Sequence, residues 1–226
     1  MLINLRNALM AGKRKPTAKD YVQSGLVSQW DSFDGYNQTS GRFFDLVNDA
    51  EVSDSKITRT QGGLMNYTGI GLVNLRTGLT PPEDFTLEMC LNVNNVELVG
   101  SNRAEMMYAY GFTLLMKYSN DWFCNPTNAY VSYSGNFAPR FTASFQIAGT
   151  STSPDYPRAG SLFFAGAKTR DLPAAKNVTG TTLAVGRNTY TNMNVDIYSL
   201  RLYSRALTAD EIARNYAIDK ERFHLP

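Results

Sequence analysis

A strand that runs straight into a capped helix constrains this chain more than any other segment: Val195 to Asp219, VDIYSLRLYSRALTADEIARNYAID. Ile197, Leu200, Leu202 and Tyr203 give the run its apolar, strand-like character. Thr208 and Glu211 then stand at the capping-box spacing. At that spacing the hydroxyl accepts from the N3 backbone N–H, and the N3 carboxylate reaches back to the N–H of the cap residue. Ile212 and Tyr216 follow on one helical face at i, i+4.

Two further segments alternate with the period of a strand. In PEDFTLEMCLNV, Phe85, Leu87, Met89, Leu91 and Val93 point one way, while Thr86, Glu88, Cys90 and Asn92 point the other. In RFTASFQIA, Phe141, Ala143, Phe145 and Ile147 are expected inward, with Thr142, Ser144 and Gln146 outward. The alternation puts Cys90 on the polar face and leaves Glu88 alone on the outer register. GLVSQWD reads as an opening strand with Trp30 in the core, closed by the turn pair Asp34-Gly35. Residues 106–118 and 128–135 read as a meander around Gly111 and Asn120-Asp121, and residues 182–187 as a strand before the closing one. Residues 149–160 are a long polar connection. Short strands separated by turn chemistry predict one all-β domain.

The composition of the 226 residues narrows the functional classes. All-β sandwiches of this length commonly form a single domain. With 22 basic against 20 acidic residues, the net charge is only +2, so nucleic acid is not an expected partner. No segment approaches the roughly 18 apolar residues of a membrane span. Residues 1–20 are expected to be a short amphipathic helix and hinge, not a secretory signal, because Arg6 interrupts the apolar run and the basic cluster Lys13, Arg14, Lys15 follows it. Residues 21–226 are expected to form the sandwich domain. Cys90 and Cys124 are too few for a disulfide framework; a single bridge between them is geometrically open but unforced, and two free thiols are the expectation.

Residues 25–223 resemble the concanavalin A-like lectin/glucanase superfamily, and laminin-G-like domains in particular. The resemblance rests on the closing YSRALT…EI..NY, on the opening GLVSQWD with Phe44-Asp45-Leu46 after it, and on DFTLE at residues 84–88. It implies an all-β fold, an antiparallel jelly-roll β-sandwich with short N-terminal and C-terminal helices. Glycanases of this superfamily carry E-x-D-x-x-E on one strand, which sets an acid and a nucleophile about 5 Å apart. That motif is absent, and Glu83 and Asp84, being adjacent, would face opposite sides. The sole histidine, His224, lies near the chain end, and no glycine-rich phosphate loop occurs. The expectation is therefore a protein that is not an enzyme. No cofactor is expected, although the resemblance admits calcium, through Asp45, Asn48 and Asp49 or through Asp121, Asn125 and Asn128. Neither set has diagnostic spacing, and Asp and Asn commonly cap turns.

The resemblance points to a carbohydrate-binding or adhesion module with glycans or a cell-surface polysaccharide as partners. The candidate ligand-binding residues are Trp122, Asn125, Asn128, Tyr130 and Tyr133, where aromatic rings alternate with amides in KYSNDWFCNPTNAYVSYSGN. Arg187, Asn188 and Tyr190 lie near a sheet edge. An alternative is a phage or mobile-element structural or host-recognition protein, since MLINLRNALMAGKRKP resembles openings of tail-associated proteins. The N-terminal helix would then mediate self-assembly, and the setting would be extracellular or virion-associated.

Overall fold

The computed structural model describes residues 14–98, 103–110, 112–118, 121–125, 131–133, 140–150, 158–172, 180–186 and 191–226. The expected helix around Leu2 and Leu9 lies outside them. The described chain opens with a 3-10 turn, Ala18–Asp20. The strands follow as β1 (Leu26–Asp31), β2 (Tyr36–Asn37), β3 (Arg42–Phe43), β4 (Ile57–Arg59), β5 (Met65–Gly69) and β6 (Val73–Arg76). Next come β7 (Phe85–Leu98), β8 (Arg103–Ala109), β9 (Phe112–Tyr118), β10 (Asp121–Asn125) and β11 (Val131–Tyr133). The series ends with β12 (Arg140–Thr150), β13 (Arg158–Phe164), β14 (Ala167–Leu172), β15 (Leu183–Val185) and β16 (Thr191–Tyr203), after which helix α1 spans Ala209–Phe223.

Two antiparallel sheets make the sandwich. The larger has the order β14-β13-β12-β7-β16-β5-β4, with β1 also paired to β16. The second runs β11-β10-β9-β8-β15-β6. One apolar cluster joins them: Phe85, Leu87, Met89, Leu91, Phe145 and Leu200 from the larger sheet meet Val73, Leu75, Met107, Leu183 and Val185 from the smaller. The alternations read at Phe85 to Leu91 and at Phe141 to Ile147 thus face the core. Trp30 is fully buried there as well, its indole N–H donating to Ser28 Oγ at 3.1 Å.

In β16 the core-facing Ile197 and Leu200 are three residues apart, which a regular strand forbids. A bulge reconciles them. Ile197 pairs with Leu91 and Ser199 with Cys90, so Tyr198 is the extra residue and the parity of the strand switches. Leu200 and Leu202 then return to the core, while Ser199, Arg201 and Tyr203 line the outer face. Tyr198 packs edge-on to Phe223 of α1 at 5.3 Å.

Helix α1 begins as its capping box dictates. Glu211 N–H donates to Thr208 Oγ1 at 3.2 Å, and Thr208 N–H donates to Glu211 Oε2 at 2.8 Å. Its buried residues are Ile212, Asn215, Asp219 and Phe223, a single face at spacings of three and four. That face covers part of the outer surface of the larger sheet. No helix among the described residues is long and apolar enough to cross a membrane.

Candidate functional site

The aromatic and amide-rich segment forms the free end of the smaller sheet among the described residues. β9 and β10 are neighbouring antiparallel strands, and β11 adds the terminal one. Trp122 stands directly opposite Tyr133 on β11 and opposite Lys117 on β9. Lys117, Trp122 and Tyr133 therefore occupy one row of opposed register positions across three strands. Asn125 ends β10 opposite Thr113, after a register irregularity. Asn128 and Tyr130 lie outside the described residues, as do Arg187, Asn188 and Tyr190. The structure thus brings Trp122 and Tyr133 together by register, and adds a cation position, Lys117, that sequence reasoning left unused.

The first candidate calcium set behaves as a turn. Buried Asp45 accepts from Ser28 Oγ at 2.7 Å, Gln29 N–H at 2.9 Å, Val47 N–H at 3.0 Å and Asn48 Nδ2 at 2.9 Å. Those donors occupy its lone pairs, so its charge is used to fold the loop. In the second set Asp121 and Asn125 sit at opposite ends of β10, and Asn128 is not described. Among the described residues, no group of three or more His, Cys, Asp or Glu side chains could hold a metal ion.

Glu88 is neither exposed nor alone, and this corrects the sequence reading. It is buried beneath α1 with Arg201, Asp219 and Asn215, all at 1% exposure or less. Arg201 Nε donates to Glu88 Oε2 at 2.9 Å, while its two terminal nitrogens hold Asp219 at 2.9 and 2.7 Å. Asn215 Nδ2 donates to Glu88 Oε2 at 2.6 Å and to Tyr203 Oη at 3.0 Å, and Asn215 Oδ1 accepts Val22 N–H at 3.0 Å. The Tyr21 ring lies 3.9 Å from the guanidinium, and its hydroxyl donates to Asp219 at 2.7 Å. Burial opposes the Arg201 charge, but Asp219 and Glu88 more than offset it and hold its pKa well above the ordinary arginine value. With its donors and acceptors engaged from four directions, this cluster is a fastening between helix and sheet. Cys90 is corrected likewise. It is a free, fully buried thiol, placed on the outer face as read but covered by Phe223 and Leu225, and burial pushes its pKa far up.

No family model matches the chain, and no curated protein matches it. Solved structures do. Trypanosoma rangeli sialidase in complex with sialic acid superposes with a TM-score of 0.61 at 14% identity, covering 92% of this chain and 34% of that one. The binding domain of botulinum neurotoxin DC in complex with SialylT gives 0.58 at 8% identity, covering 85% and 51%. Botulinum neurotoxin type C, whose cell entry is dependent upon interaction with two ganglioside molecules, gives 0.55 at 12% identity, again covering 85% and 51%. The chain shares a β-sandwich fold with these proteins and spans between about a third and a half of their length. The comparison also overturns one expectation. Sialidases are enzymes, so the exclusion of enzymatic activity drawn from missing sequence motifs does not stand.

Proposed function

We propose that this chain is a glycan-binding module, a laminin-G-like member of the concanavalin A-like superfamily, that engages saccharide at the β9–β11 end of its smaller sheet. The observation that carries the reading is the shared fold: 85–92% of the chain superposes on a sialidase in complex with sialic acid, a neurotoxin binding domain in complex with SialylT, and a neurotoxin whose cell entry depends upon gangliosides. The row Lys117, Trp122, Tyr133 supports the placement. Aromatic rings at neighbouring positions suit the apolar face of a pyranose, and a lysine beside them suits the carboxylate of an acidic sugar. Asn125, with Asn128 and Tyr130 following in sequence, supplies amide and hydroxyl groups for sugar hydroxyls.

Glycan-array screening of the intact protein tests this. Reproducible binding at micromolar strength is expected, enriched among sialylated structures. Trp122→Ala should weaken the best ligand at least tenfold, about 1.4 kcal/mol, with an unchanged melting temperature. Lys117→Ala should lose acidic glycans selectively. Silence across the array, or a large drop in stability with Trp122→Ala, rules the proposal out.

A further inference from the structure

A second site, not anticipated in the sequence, lies at the β2–β3 hairpin. An open cleft of about 470 Å³ is lined by Tyr36, Asn37, Gln38, Phe44, Asp49 and Glu51. That volume falls within the roughly 300–1,000 Å³ of small-molecule sites. Its lining joins half-buried aromatic rings to amides and carboxylates, which suits a ligand with one apolar face and a rim of hydroxyls.

Several of these groups are held in place before any ligand arrives. The Tyr36 ring is anchored by Phe43, with centroids 5.0 Å apart, and by the Arg59 guanidinium, 4.3 Å from its centroid. Asn37 Oδ1 accepts the backbone N–H groups of Thr39 and Ser40. Asn37 Nδ2 and Ser40 Oγ then fix Glu51 Oε1, at 2.8 and 2.6 Å. Asp49 adopts a left-handed conformation, φ 57°, with its N–H bonded to Asp45 O at 2.8 Å. The Asp45 turn described above therefore sets where Asp49 points. The side chains of Gln38 and Asp49 make no hydrogen bond among the described residues, so one amide and one carboxylate stay open at the rim. Such preorganisation lowers the entropic cost of binding.

We propose that this cleft is a saccharide subsite selective for an uncharged pyranose. Asp49 and Glu51 accept from sugar hydroxyls, Gln38 both donates and accepts, and the Phe44 ring meets the C–H face beside the anchored Tyr36. Arg42, 3.9 Å from Glu51 Oε2, offsets the charge of Glu51, so it is the uncompensated Asp49 carboxylate at the rim that repels an acidic sugar. This selectivity is opposite to that of the β9–β11 row, and the site does not depend on it.

Amide-resolved NMR titration with methyl glucoside, methyl galactoside and methyl mannoside, each to 50 mM, tests the assignment. N-acetylneuraminic acid serves as the acidic control, and the series is run on the intact chain and on its Trp122→Ala variant. Saturable shifts at the amides of Gln38, Asp49 and Glu51 are expected with at least one neutral glycoside in both proteins, and none with the acid. Gln38→Ala and Asp49→Gly should each weaken that binding at least fivefold while the remaining spectrum stays native; glycine tolerates the left-handed backbone. Absent shifts, shifts unaltered in both variants, or equal binding of the acidic sugar would overturn the subsite. Because array binding through Trp122 is read separately, either site can fail without the other.

Discussion

Arg201 joins three elements, since one guanidinium ties β16 to Glu88 of β7 and to Asp219 of α1. Removing it would leave two carboxylates buried without a cation. Arg201→Met is therefore expected to cost about 3–5 kcal/mol, the range for breaking a buried ion pair from one side, measured by urea unfolding. Gly186 predicts a different kind of loss. Its φ is +66°, and an added Cβ would lie 2.3 Å from Tyr67 Oη and 2.6 Å from the Gly71 carbonyl oxygen. Gly186→Ala should destabilise by about 2 kcal/mol through clash and backbone strain. Cys90 is expected to resist a thiol reagent at pH 8 in a Cys124→Ser variant until the protein unfolds, because its thiol is both covered and held protonated. At this scale the sequence misled in a consistent way. Alternation assigned Glu88 and Cys90 to the correct face of β7, but parity does not say what covers that face. The sign was present in the helix: Asn215 and Asp219 lie on the same stripe as Ile212 and Phe223, so the buried face is partly polar and an apolar count overlooks it.

Elements bounded by local chemistry were legible, and α1 is the clearest case. Its cap, its buried Ile212 and its entry from β16 all follow from residues within one segment. Arg205 donates to both Glu211 oxygens, at 2.8 and 2.6 Å, and with the Thr208 N–H it holds the Glu211 carboxyl down at about 2. A carboxyl whose folded pKa is depressed adds stability above its ordinary pKa, and that stability is lost as pH falls toward the folded value. Glu211→Gln is therefore expected to flatten the fall in stability between about pH 4.5 and pH 2, followed by urea midpoints across that range. Thr208→Ala should cost about 1 kcal/mol at neutral pH as a lost cap. The β13–β14 hairpin was not legible, and the reason is local too. Its turn places Ala165 at φ 48° and Gly166 at φ 77°. Alanine seldom takes that conformation, so the pair lacks the asparagine or aspartate that announces such a turn. The polar residues 149–160 likewise gave no hint that β12 extends to Thr150 and β13 starts at Arg158.

On the scale of the whole molecule, strands could be read but their partners could not. β16 sits beside β7, β5 and β1, and the pairing of Trp30 with Leu200 joins segments from opposite ends of the chain. Nothing in either segment alone specifies that neighbour. The same geometry explains why Lys117 escaped notice beside Trp122: sequence shows four residues between them along the chain, not a shared row. Non-local pairing also governs how the protein must fold. The connection from Leu98 to Thr191, about ninety residues, has to close before β7 and β16 gain their contacts, and this entropy is spent before burial rewards it. Refolding from urea should therefore take milliseconds to seconds, the range of sandwiches rich in distant contacts. Fluorescence of Trp30 in a Trp122→Phe variant can follow it, since Trp30 reaches its buried site only when β1 has docked on β16. Submillisecond recovery of that signal would mean that β1 and β16, drawn from opposite ends of the chain, meet without the slow closure this topology demands.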